Sequence, residues 1–354
     1  MSGPAKPCQL CAEAARQLVT IGVQLDASDR IVVAVPNADG RSYRVVEVIK
    51  SKTPIGPLIV QSVTDAGGLR PDGQGPFLLI NDPLGEGWSS LGTLPLRYAG
   101  WLRQLTGTYF VEGEHARPSG PLTLQASFAL ALSDAGWRKR VALVLPYLDD
   151  RDPLVAQIAW GELSRAPYAT LDVVRSRITA ASVTAWLSDP HLGPRQAAAL
   201  LVLGYVGGTS DADSLEQRLE AAWSAHEVAN LSAMIAADLE LRGPPRVQWV
   251  ETKYLADPAR TMPEIDAALL ALHTHGYANR SVPRARVIRA YLTFIARRPS
   301  MAAFVAPELA DWNYWGERAQ YAALLESNAI QDPASRLAVM SYLQRADAAS
   351  VAAR

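Results

Sequence analysis

The chain has 354 residues, 49% hydrophobic and 19% charged, a balance that excludes a disordered protein and supplies enough apolar surface for a sizeable core. Lys and Arg number 34 and Asp and Glu 35, so at a net charge of −1 no global field draws the protein to nucleic acid or to an anionic membrane. No run reaches the roughly 18 apolar residues that span a bilayer; the best, Leu122 to Leu132, is broken by Thr123, Gln125 and Ser127.

The first residues, Met1 to Pro7, hold no apolar signal-peptide core, which leaves two expectations: a cytosolic protein, or a mature chain trimmed of its leader. The two cysteines follow as Cys8-Gln9-Leu10-Cys11. Ala12 stands where covalent c-type haem needs a histidine. A zinc site needs two further ligands and a thioredoxin-like motif needs a preceding strand; neither is near in sequence. The spacing fits a local disulfide or a buried thiol pair, with redox chemistry or metal binding by Cys8 and Cys11 as the open alternative.

Leu10, Ala14, Leu18, Ile21 and Leu25 step by three and four residues and predict one helix stripe, ending near Asp26 to Asp29. Ile31 to Val35 is β-branched and too short for a helix. The turn Pro36 to Gly40 and the return strand Tyr43 to Val48 complete a hairpin. Shorter strands are expected at Leu58 to Val60 with Val63, at Phe77 to Ile80 and around Trp88 to Leu91, separated by Gly- and Pro-rich connections. Tyr98, Trp101, Leu102 and Leu105 read as a closing helix, and the 112–121 loop as a boundary. This pattern predicts a small antiparallel barrel or sandwich.

Beyond Pro121 helical periodicity takes over, with stripes such as Val141, Val144, Leu145 and Leu148, or Leu154, Ile158 and Leu163. Asp-Pro recurs at Asp152-Pro153, Asp189-Pro190, Asp257-Pro258 and Asp332-Pro333. Asp accepts N–H bonds at a helix N-terminus and Pro fits the first helical position, so these dipeptides punctuate stacked helix pairs. The expected organisation is residues 1–30 as the cysteine segment and a helix packing on the β module, 31–115 as that module, and 116–354 as a helical repeat domain.

The run Tyr147-Leu148-Asp149-Asp150-Arg151-Asp152-Pro153-Leu154-Val155-Ala156-Gln157-Ile158-Ala159 resembles the turn and second helix of a HEAT repeat, with Gln157 where arginine is usual nearby. Asp332 to Val339 is a second such stretch. The resemblance implies an α-solenoid and no activity. The longer run Asp152 to Tyr168, with Cys8 and Cys11, Tyr43 to Ile49, and Trp186 to Pro190, is similar in order and spacing to a group of uncharacterised exported bacterial proteins. Those begin near a Cys-x-x-Cys, carry a β module and continue as HEAT-like helices; the resemblance implies a periplasmic or exported location. Ser28 to Val33 after the cysteines is also similar to the OB-type barrel of netrin and metalloproteinase-inhibitor domains, which implies an OB-like barrel alone. The fold class expected is thus α+β multidomain: a small OB-like β module followed by an α-solenoid of HEAT-like helix pairs.

No phosphate-binding loop, dinucleotide fingerprint, His-Glu-x-x-His or nucleophile elbow occurs. Asp149, Asp150 and Asp152 lack the glycine and distal glutamate of a calcium loop. His273 and His275 are two apart and point to different sides of a helix; Gly276 reads as that helix's end. Six arginines, Arg280, Arg284, Arg286, Arg289, Arg297 and Arg298, lie in a stretch free of acidic residues, whereas 211–240 is acid-rich. The two stretches either pair with each other and solvent, or form a docking site through Arg284, Arg286 and Arg289. Trp312 and Trp315 are read as core aromatics or as a recognition patch. The function expected first is a non-enzymatic protein-binding scaffold or accessory subunit, without cofactor. A redox or metal-handling protein using Cys8 and Cys11 comes second, and an enzyme with a site between the domains third.

Overall fold

The computed structural model describes residues 20–352 apart from 39–41, 52, 60–61, 66–70, 72, 82–86 and 114–131. Cys8, Cys11, the Asp39-Gly40 turn and most of the 112–121 loop lie outside the described residues. The architecture is α+β in two parts, a curled β module and then helices in packed pairs. No described helix is long and apolar enough to cross a membrane.

The first helix, α1 (Ile21–Ala27), is capped by Thr20, whose hydroxyl accepts the Val23 N–H at 3.3 Å. Six strands follow: β1 (Arg30–Pro36), β2 (Tyr43–Ser51), β3 (Leu58–Ile59), β4 (Val63–Thr64), β5 (Phe77–Asn81) and β6 (Trp88–Thr93), in the order β3-β2-β1-β5-β6-β4. Among the described residues every pairing is antiparallel except β4 with β6. The segment 58–64 explains both that exception and the curl. Its β3 end pairs with β2 at one edge and its β4 end with β6 at the other. Only four residue steps lead from Ile59 to Val63, a reach of at most about 15 Å, whereas the outer strands of a flat six-stranded sheet stand about 24 Å apart. The sheet must therefore bend into a half-barrel. Ile59 and Val63, from opposite edges, share one buried cluster with Val32, Phe77 and Trp88.

Bulges at Ile31/Val32, Val33/Ala34 and Leu78/Leu79 add to the bend. They also break the strict alternation expected on β2, where Val48 is exposed while Ile49 and Lys50 are both buried. The central strands β1 and β5 are buried on both faces, which is why they read as unbroken apolar runs.

A 3-10 turn, Leu96–Tyr98, leads into α2 (Ala99–Gly113), which packs on β2 and on α3 (Asp134–Val144). Next come α4 (Pro153–Arg165) and a 3-10 segment, Tyr168–Ser176, packed on α3. The chain divides into two compact units, 1–178 and 179–354, so these helices group with the β module.

The second unit runs through α5 (Ala180–Ser188), α6 (Gln196–Val206), α7 (Thr209–Ala225), α8 (Leu231–Arg242), α9 (Arg246–Val250), α10 (Met262–Ala278), α11 (Arg284–Arg297), α12 (Ala306–Asp311), α13 (Arg318–Glu326) and α14 (Pro333–Ala352). Neighbours pack serially: α6 on α8, α8 on α10, α10 on α11, and α12 on α14. A continuous apolar core runs from Leu200 to Tyr342.

The Asp-Pro signals act in three ways. Asp152 Oδ1 accepts the Leu154 and Val155 N–H groups at 3.1 and 3.2 Å and opens α4; Asp332 opens α14 through Ser335 N–H at 2.8 Å. Asp189 caps the 3-10 segment Pro190–Arg195. Asp257 departs from the expected helix cap: it accepts Ala259 N–H in a turn, and α10 starts later behind a capping box of Thr261 and Glu264.

Candidate functional site

The first unit contains a closed ring of buried charge. Arg140 Nε donates to Glu162 Oε2 at 2.5 Å and its Nη2 to Asp26 Oδ1 at 2.8 Å. Arg165 Nη2 bridges the other side, to Asp26 Oδ2 at 2.5 Å and Glu162 Oε1 at 2.8 Å. All four side chains are buried, and both guanidinium groups lie over the Trp137 ring. Burial works to raise the Glu162 carboxyl, but the charges of Arg140 and Arg165 outweigh it and hold it below the ordinary carboxylate range. Two positive and two negative groups cancel, shut away from solvent. The ring is thus a latch holding α1 against α3 and α4. Gly22 lets it close, since a Cβ there would fall 1.8 Å from Glu162 Oε1. Lys50 Nζ completes it by donating to the α1 carbonyls of Leu25 and Asp26 at 3.1 and 2.8 Å.

In the second unit the basic stretch is taken apart by packing. Arg286 forms a two-pronged pair with Glu251, at 3.0 and 2.7 Å. Arg284 donates from Nε to the Gly276 carbonyl at 2.8 Å, with its guanidinium 5.4 Å from the Trp312 ring centroid. Arg298 holds the carbonyls of Leu255 and Asp257. Arg289 is exposed on α11. The four arginines of one run therefore serve different ends: one pairs with a carboxylate, two hold backbone carbonyls and one faces solvent. The acid-rich stretch is answered mostly by local cations: Asp238 meets Arg242 and Arg246, Glu216 the same two, and Glu220 meets Lys253. Asp150 and Asp152 serve Tyr98 and the α4 cap, and no group of three or more metal-ligating side chains exists among the described residues.

Trp312 is buried, stacked on Tyr291 with centroids 5.7 Å apart, and its indole Nε1 has no hydrogen-bond partner among the described residues. Trp315 is half-buried against Tyr342. Gly276 does not end its helix as expected: α10 continues to Ala278 and stops at Asn279 with φ 49°. Gly276 instead faces the Trp312 ring, with no room for a side chain. His275 is buried, its Nε2 donating to the Ala236 carbonyl at 2.9 Å and Glu240 lying 4.0 Å from Nδ1. Burial pushes its pKa below the ordinary value, with Ala236 and Glu240 opposing. His273, two residues away, faces the other way and sits 3.1 Å from Glu308 Oε1.

One helix face stands out. Met262, Asp266, Leu270, His273 and Tyr277 fall within about 80° of arc at 100° per residue and form one straight stripe along α10. Met262, Leu270 and Tyr277 are 43%, 46% and 46% exposed. Tyr277 donates its hydroxyl to Asp311 Oδ2 at 2.8 Å, and Arg345 Nη1 donates to Asp311 Oδ1 at 2.7 Å. Burial and then that hydrogen bond raise the Tyr277 phenol well above its usual value, so it remains a neutral donor. Tyr277 also packs edge-on against Trp312 and beside His273. The sequence reading missed this stripe, although its spacing of four, four, three and four was visible. An exposed stripe and a buried one have the same period.

Comparison with protein-family models, with curated proteins and with solved structures gives no match for this chain.

Proposed function

We propose that the protein is a binding scaffold or accessory subunit whose docking surface includes the outer stripe of α10. The observation that carries this reading is the alignment of exposed Met262, Leu270 and Tyr277 on one face. Tyr, Trp and Arg are the residues that dominate binding energy at interfaces, and Tyr277 and Arg345 gather at the end of the stripe, Tyr277 backed by the buried Trp312. Apolar side chains scattered singly on a surface need no explanation, but an ordered row of them does. The resemblance of the helical part to HEAT repeats and of the β module to OB-type barrels fits a scaffold, since stacked helix pairs expose extended faces. A periplasmic or exported location belongs to the same proposal and rests on the resemblance alone.

The test is affinity purification of the full chain from its native host, as wild type and as Leu270→Gln. A stoichiometric protein partner that the variant loses, with an unchanged circular dichroism spectrum, supports the reading. A partner retained by the variant removes α10 from the interface.

A further inference from the structure

Resting on the reading of this stripe as a docking surface, we propose that its occupant is an amphipathic helix of a partner protein, carrying a lysine or arginine that meets Asp266. Two observations carry this. The stripe is straight over the 16 residues from Met262 to Tyr277, about 22 Å at 1.5 Å per residue, and its positions recur once per helical turn, with the exposed apolar groups at every second one. A second helix presents side chains at the same pitch and keeps register along the whole row. An extended strand, repeating every ~7 Å on one face, drifts out of register with it.

The second observation concerns charge. Asp266 lies between Met262 and Leu270, one turn from each, and has no hydrogen bond or ion pair among the described residues. Partial burial alone raises its carboxyl above the ordinary value, with no cation opposing the shift. Comparable carboxylates in the same unit are answered from within the chain: Asp238 by Arg242 and Arg246, Glu251 by Arg286, and Glu264 by Arg260. Further along, Glu308 Oε1 meets His273 while Oε2 is buried without a partner among the described residues. Apolar ends with uncompensated anionic charge between them call for a partner that is apolar on one face and basic beside it. An acidic helix would place like charges together.

The experiment uses the full chain and two fluorescent 18-residue helical peptides, each with leucines along one face and flanked by either lysine or glutamate. Anisotropy titration should give saturable binding of the lysine peptide, at least tenfold tighter than the glutamate peptide. Asp266→Asn should reduce that preference several-fold, and Leu270→Gln should weaken both peptides. Equal affinity for the two peptides, together with loss of the native partner in Leu270→Gln, overturns the basic-helix occupant while the docking surface stands. Absence of saturable binding by either peptide overturns it too. Sedimentation showing a dimer that Leu270→Gln dissociates overturns it in favour of a second copy of the chain.

Discussion

A Cβ placed on Gly276 would lie 2.2 Å from Cη2 of Trp312, so the absence of a side chain on α10 is what allows that indole to stack on Tyr291. The glycine sits in the last turn of α10, still inside the helix, where it costs up to about 1 kcal/mol relative to alanine. Gly276→Ala recovers that propensity but forces a large buried ring to shift, an overpacking cost of about 1–3 kcal/mol. The expected net result is destabilisation, read as a lower urea midpoint with an unchanged slope. A midpoint at or above wild type would show that Trp312 moves freely.

The ionic ring predicts an asymmetric response. Asp26→Ala leaves Arg140 and Arg165 with one carboxylate between them, and breaking a buried pair in this way costs about 3–5 kcal/mol. Chemical denaturation of the first unit, followed through Trp137, measures it. A loss below about 1 kcal/mol would mean that water reaches the arginines once α1 is shortened of its charge.

His275 makes stability depend on pH with a definite sign. Its folded pKa lies below the ordinary 6.5, so between those two values the unfolded chain binds the extra proton. Stability from this group is fully present above pH 6.5 and is lost as the pH falls from 6.5 through the folded value. Thermal melts at pH 7.5 and 5.5 should show wild type losing more stability than His275→Gln, whose amide keeps a donor for Ala236. Glu240 faces the imidazole and partly offsets the loss. Identical losses in the two proteins would place the pH sensitivity elsewhere.

The arginines of α11 separate into structural and free groups. Arg286→Glu sets two carboxylates against each other at Glu251 and should lower stability by about 1–3 kcal/mol. Arg289→Glu, on the exposed face, should change stability by less than about 0.5 kcal/mol. Urea unfolding of the two single variants resolves the contrast. If only Arg289→Glu also weakens partner capture, the docking role expected for the run belongs to that residue.

The linear chain determined the order of the two parts. Short apolar runs, punctuated by Gly and Pro, can form only short strands, and an aspartate before proline favours a helix start, as at Asp152 and Asp332; β1, β5, α4 and α14 follow from these local rules. The curl of the sheet was not local, since it needed the 58–64 segment to meet both edges. The sites were less legible still. Arg284, Arg286 and Arg289 look alike in sequence, but Gly276 and Glu251 engage two of them and leave the third in solvent. Asp26 and Glu162, 136 residues apart, come to share two arginines because α1 returns to α4. On α10 the three-and-four spacing gave a helix, but which stripe faces outward was decided by the packing of α8 and α11 around it. Periodicity specifies an element's own geometry; charge pairing and exposure depend on which distant segments arrive beside it, and those are set only when the whole core closes.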